Sequence, residues 1–161
     1  MKNGQRTTGS DGRSTNGDTL QRVNAEEQPV EKPMRGDDIA ERLLEFAVRV
    51  VRLASALPKS SVGQHICVQI VHSGTSAGAN YEEARGAESH ADFAHKLGVS
   101  LKELRETRYW LNIISRTALV SPGRMKDILQ EADELCRIVG KSIVTVKQKR
   151  TRAPGPAPNS D

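Results

Sequence analysis

Apolar residues recur at alternating intervals of three and four along four separate stretches of this chain, with polar residues filling the gaps. The first stretch reads Ile39, Leu43, Phe46, Val50, Leu53 and Leu57. That spacing puts one apolar stripe along a helix that packs on other helices. Asp37 and Asp38 open the stretch, where carboxylates meet free N–H groups and the positive end of the dipole, and Pro58 closes it. The second carries Val62, Ile66, Ile70, Ala77 and Ala84. The third follows a capping-box-like Ser89-His-Ala-Asp92 and carries Phe93, Leu97, Leu101, Leu104, Leu111 and Ile114. The fourth follows Ser121-Pro122, a cap residue with proline at the first helical position. It carries Met125, Ile128, Leu129, Ala132, Leu135, Val139, Ile143 and Val146. The pattern predicts helices over 37–57, 61–86, 89–118 and 121–148. The links are short, so consecutive helices run antiparallel. The expected fold is an all-α, up-down-up-down four-helix bundle.

Two features go beyond a simple stripe. The middle of the second helix, Ser73-Gly-Thr-Ser-Ala-Gly-Ala79, consists of small residues. Glycine there costs about 1 kcal/mol relative to alanine, but small residues let two helix backbones approach closely. Beside them Ser73, Ser76, Asn80 and Glu83 share one arc bordering the apolar stripe. They are expected to form a buried polar network that fixes helix register, with Glu83 meeting a basic residue on another helix; the competing reading is a binding or catalytic pocket. On the third helix, Val99, Trp110 and Ile113 lie nearly opposite Leu97 and Leu104, with Glu103 and Glu106 among them. A second apolar stripe anchored by tryptophan suits contact with another subunit. The alternative is that Trp110 sits at the seam edge and packs within its own bundle.

The flanks differ in character. Residues 1–36 are rich in Gly, Ser, Thr, Asn, Asp and Gln, and residues 149–161 hold three prolines. Both are expected to be disordered, leaving 37–148 as the folded domain. Met34 is a candidate second translation start. The 161 residues suit a single domain, and an aromatic content of 3% makes its core aliphatic. No stretch is apolar enough for a membrane span and the N-terminus lacks a signal-type apolar run, so the expected location is the cytoplasm.

Charge adds little by itself. The net +4 divides into +1 for residues 1–36, +1 for 37–148 and +2 for the rest. Candidate nucleic-acid contacts are Arg42, Arg49 and Arg52 on the first helix, among Glu41 and Glu45, together with Lys147, Lys149, Arg150 and Arg152. With five Phe, Trp and Tyr residues in all, binding of RNA or DNA would rest mainly on phosphates and weaken with salt. No catalytic set, cofactor site or metal site is expected. His65 and His72 are seven residues apart rather than the usual three or four. Glu82, Glu83, Glu103 and Glu106 lack the Glu-x-x-His pairs of di-metal bundles. Cys67 and Cys136 fall on different helices and read as two reduced thiols.

Three motifs occur in order: Ser73-Gly-Thr-Ser-Ala-Gly-Ala-Asn-Tyr-Glu-Glu-Ala84, Ser89-His-Ala-Asp-Phe-Ala-His-Lys-Leu97, and Leu101-Lys-Glu-Leu-Arg-Glu-Thr-Arg-Tyr-Trp-Leu111. Over residues 38–146 the chain resembles the four-helix bundle proteins also called 23S ribosomal RNA intervening-sequence proteins. The resemblance implies a homopentameric ring. It also implies distant kinship with retroelement accessory proteins that bind nucleic acid and a reverse transcriptase. For most members no activity is established. Ser76, Asn80, Glu83, Ser89, Phe93, Leu97, Glu103, Glu106 and Trp110 match family positions and read as packing and assembly residues. Members often carry a basic residue before the small-residue run, where this chain has Val71 and His72. Two functions follow as expectations: a non-catalytic oligomer that binds nucleic acid, or a protein–protein interaction module that does not.

Overall fold

The computed structural model describes residues 36–152, with side chains as far as Gln148. Four helices follow one another: α1 (Asp37–Ser55), α2 (Ser61–Arg85), α3 (His90–Arg116) and α4 (Pro122–Arg152). Each packs on its chain neighbours. The α2–α3 seam is the most extensive, and α1 and α4 touch most sparingly to close the bundle. The up-down-up-down arrangement is the one the short links require.

The core follows the apolar stripes. Leu43, Phe46, Val50, Ile70, Leu97, Leu104, Leu111, Ile114, Met125, Leu135 and Val139 are fully buried. Val62 departs from its expected seam position. It stands in the first turn of α2, at the end of the bundle, and remains 61% exposed. Tyr81 takes a core place that the apolar pattern did not assign.

Local chemistry explains the helix ends. Gly36 caps α1 in the left-handed region at φ 97°, and no side chain caps that end. The positive φ favours glycine, and a β-carbon there would also lie 2.7 Å from the Tyr81 hydroxyl. Asp37 therefore serves a different role from a cap and pairs with Arg85 of α2. The Ser60 hydroxyl accepts from the Gly63 amide, and the Ser89 hydroxyl accepts from that of Asp92. At the end of α3, Ala118 adopts φ 51°. The Leu119 amide donates to the Ile114 carbonyl, and the Ala118 amide donates to that of Ser115. This is a Schellman closure with alanine where glycine is usual. At its far end α4 continues to Arg152, four residues past the expected limit. Lys147, Gln148, Lys149 and Arg150 are good helix formers, and the first proline comes at 154.

The small residues of α2 perform the expected task. At Gly74 the backbone lies against Val50 of α1, and at Ala77 the carbonyl accepts from the Ser100 hydroxyl of α3 at 2.8 Å. Charged pairs span the four seams: Arg85–Asp37 for α1–α2, Lys96–Glu83 for α2–α3, Arg108–Asp133 for α3–α4, and Arg42 with Glu131 and Glu134 for α1–α4.

Candidate nucleic-acid interface

Two arginine-lined depressions flank the N-terminal half of α4. The first, of about 350 Å³, lies between α1 and α4 and is lined by Arg49, Arg52 and Arg124 over Leu53 and Ile128. The antiparallel pairing brings the last turns of α1 beside the first turn of α4, so residues far apart in sequence meet there. The second, of about 540 Å³, lies between α3 and α4. Arg105, Tyr109, Asn112 and Arg116 line it at intervals of four, three and four along α3, together with Ile113, Arg108 and, from α4, Asp133. Arg108 donates to Asp133 at 2.9 Å, whereas no side-chain hydrogen bond or ion pair holds Arg49, Arg52, Arg105, Arg116 or Arg124 among the described residues. Five unpaired guanidiniums along one half of a nearly neutral bundle make a local positive field.

Sequence reasoning found two of these five. Arg49 and Arg52 were legible as a basic pair on α1. Arg105, Arg116 and Tyr109 were legible only as an i, i+4, i+11 row outside the apolar stripes of α3. Arg124 could not be found without the α1–α4 pairing.

Arg42, expected among the nucleic-acid contacts, differs from Arg49 and Arg52 in being engaged by carboxylates of α4. Its guanidinium forks onto Glu131, with Nε–Oε1 and Nη2–Oε2 each 3.1 Å, and reaches Glu134 at 2.9 Å. The bond to Glu134 and the nearby Glu131 charge raise its pKa against the opposing effect of burial. The Glu134 carboxyl is held below its usual range, first by the Gln130 amide and then by Arg42. Lys147 lies on α4 beyond both depressions. The side chains of Lys149, Arg150 and Arg152 lie outside the described residues.

The expected buried polar network also resolves differently. The Ser73 hydroxyl donates to the Gln69 carbonyl at 3.0 Å, and the Asn80 amide donates to the Ser76 carbonyl at 2.9 Å. Both bonds stay within α2, because short polar side chains reach the carbonyl four residues back. Ser76 and Asn80 are half-buried; Glu83 is exposed, and it meets a basic residue of another helix, Lys96 of α3, as expected. The buried hydrogen bond between helices comes instead from Ser100.

The second stripe of α3 is partly covered within the chain. Trp110 and Ile113 are half-buried against the core, Val99 is half-buried and Glu106 is exposed. The Trp110 indole meets His65 of α2 edge-on at 5.9 Å, and its N–H donates to Glu106 at 3.3 Å. Glu103 keeps one buried carboxylate oxygen without a hydrogen-bond donor. Apolar surface also remains open on α1, where Leu44 is 57% and Val51 41% exposed. Burial pushes the Cys136 thiol up. Among the described residues no group of three His, Cys, Asp or Glu side chains converges for a metal, and no helix is long and apolar enough to cross a membrane.

Fold and site together define a small antiparallel four-helix bundle with unpaired arginines along one half. Residues 37–141 match the model of the family described as 23S rRNA-intervening sequence protein, and the chain belongs to that family. A crystal structure of a protein with unknown function from the S23 ribosomal protein family of Bacteroides thetaiotaomicron VPI-5482 is similar. It is 38% identical, with a TM-score of 0.62, and the match covers 65% of this chain and 97% of that one. No curated protein matches the chain.

Proposed function

We propose that this protein is a non-catalytic, cytoplasmic homo-oligomer that binds RNA through backbone phosphates along the arginine-lined half of the bundle. The observation that carries this reading is the set of unpaired guanidiniums Arg49, Arg52, Arg105, Arg116 and Arg124 around one half of α4. Planar guanidiniums suit phosphate oxygens, and leaving five of them without carboxylate partners has no evident benefit for folding. Support for self-association comes from the half-buried Val99 and Trp110 on α3 and the open Leu44 and Val51 on α1, while Ile113 of the same stripe lines the α3–α4 depression. The resemblance to ring-forming relatives makes a pentamer the leading assembly.

Fluorescence anisotropy with a labelled generic RNA, titrated at 50 and 300 mM salt, tests the binding. Saturable binding that weakens steeply with salt is expected. Absence of binding at the lower salt would sink the reading. If light scattering then still showed an oligomer, the protein–protein interaction module would take its place.

A further inference from the structure

Tyr109 is 61% exposed, and its ring has an aromatic neighbour. It meets Trp110 edge-on at 5.4 Å and 74°, and Trp110 in turn rests edge-on against His65 of α2. An exposed ring with an edge-on aromatic neighbour offers a flat group a surface to stack on. One turn before it in the same depression stands Arg105, and two turns after it stands Arg116. Between them, Asn112 donates its amide to the Arg108 carbonyl at 2.8 Å, which leaves its amide oxygen to accept from a ligand.

We propose that the α3–α4 depression is a single-strand site. One unstacked base lies on Tyr109, its exocyclic amino group donates to the Asn112 oxygen, and phosphates on either side meet Arg105 and Arg116. The two arginines are separated by roughly 16 Å along the helix, a length that suits a short run of nucleotides and exceeds a single one. A duplex cannot offer that base without unstacking it. The α1–α4 depression has three arginines and no aromatic residue, so it tracks phosphate without reading a base. This inference rests on the RNA-binding reading and adds its strand preference and base contact.

The test uses the full-length protein with an oligoadenylate and with a duplex RNA of matched charge. Trp110, the chain's single tryptophan, supplies an intrinsic fluorescence readout beside Tyr109. The single strand is expected to bind more tightly than the duplex and to change Trp110 emission. Tyr109→Ala is expected to weaken single-strand binding about tenfold, leaving duplex binding unchanged, whereas Tyr109→Phe binds like the parent protein. Equal affinity for duplex and single strand, or an unchanged Tyr109→Ala affinity, would overturn the site. So would a Tyr109→Ala protein whose oligomeric mass differs from the parent's, since the ring would then belong to a subunit contact. If neither RNA binds, the RNA-binding reading itself fails. If both bind and Arg105→Gln with Arg116→Gln weakens both equally, only the single-strand site fails.

Discussion

Val50 of α1 occupies the space that a side chain at position 74 of α2 would need: a β-carbon on Gly74 would lie 2.7 Å from Val50 Cγ1 and 3.1 Å from its Cβ. The glycine's helix cost is therefore offset by close packing of two backbones. Gly74→Ala is expected to lose about 1–2 kcal/mol, because overpacking outweighs the gain in helix propensity. Shrinking the neighbour should relieve it. Urea denaturation of Gly74→Ala, Val50→Ala and the double variant checks this, with the double variant losing at least 0.5 kcal/mol or so less than the sum of the singles. Strict additivity would show that the two residues do not share this space.

The end of α3 offers a change in the opposite direction. Ala118 holds a left-handed conformation that costs an L-residue roughly 1 kcal/mol. Its Schellman hydrogen bonds are backbone bonds and survive substitution. Ala118→Gly is expected to raise stability by about 0.5–1 kcal/mol, offset in part by glycine's greater unfolded-state freedom. A lowered denaturation midpoint would contradict the strain at this position.

Tyr81 makes alkaline stability specific. Burial raises its pKa, with smaller contributions from Asp38, Glu82 and Asp37, against the lowering effect of Arg85. A phenol harder to ionise when folded than when unfolded stabilises the native state fully below the ordinary tyrosine pKa of about 10. That contribution disappears as pH rises through the folded value. Thermal denaturation between pH 8 and 11 should show a falling stability limb that Tyr81→Phe flattens.

Arg42 separates charge that builds the fold from charge free for a ligand. It closes the α1–α4 seam through Glu131 and Glu134 while remaining partly exposed. Arg42→Ala is expected to lower the melting temperature by a few degrees at most, as exposed pairs do. Glu134 is held below its ordinary range first by the Gln130 amide and then by Arg42; the Arg42 share is present above that range and is lost as pH falls through the lowered pKa, so the variant's acid limb should be flatter only in part. RNA affinity should not change. A large affinity loss in Arg42→Ala would contradict its assignment to the seam.

The bundle was legible because three-four spacing directly encodes a buried helical stripe. Ile66, Ile70, Leu97, Leu104, Leu135 and Val139 all fill the core as the spacing implied. The polar residues were less legible because spacing does not reveal which partner a side chain chooses. Ser73 and Asn80 bond to their own helix, whereas Ser100, which had no special sequence context, crosses to α2. The basic residues were least legible. Arg42 and Arg49 are seven residues apart on one helix, yet carboxylates of α4 claim the first, while Arg124 of α4 joins the second. Only the register of two antiparallel helices distinguishes them.

The salt dependence of RNA affinity tests the central claim most directly. Each arginine that neutralises a phosphate of a single strand contributes about 0.7 to the slope of log K against log salt. If Arg49, Arg52, Arg105, Arg116 and Arg124 all engage, the slope approaches roughly −3.5. Each Arg→Gln substitution among the five should then reduce its magnitude by about 0.7, and Arg42→Gln should leave it unchanged. A slope near zero, or one insensitive to all five substitutions in proteins whose circular dichroism matches the parent's, would contradict the account.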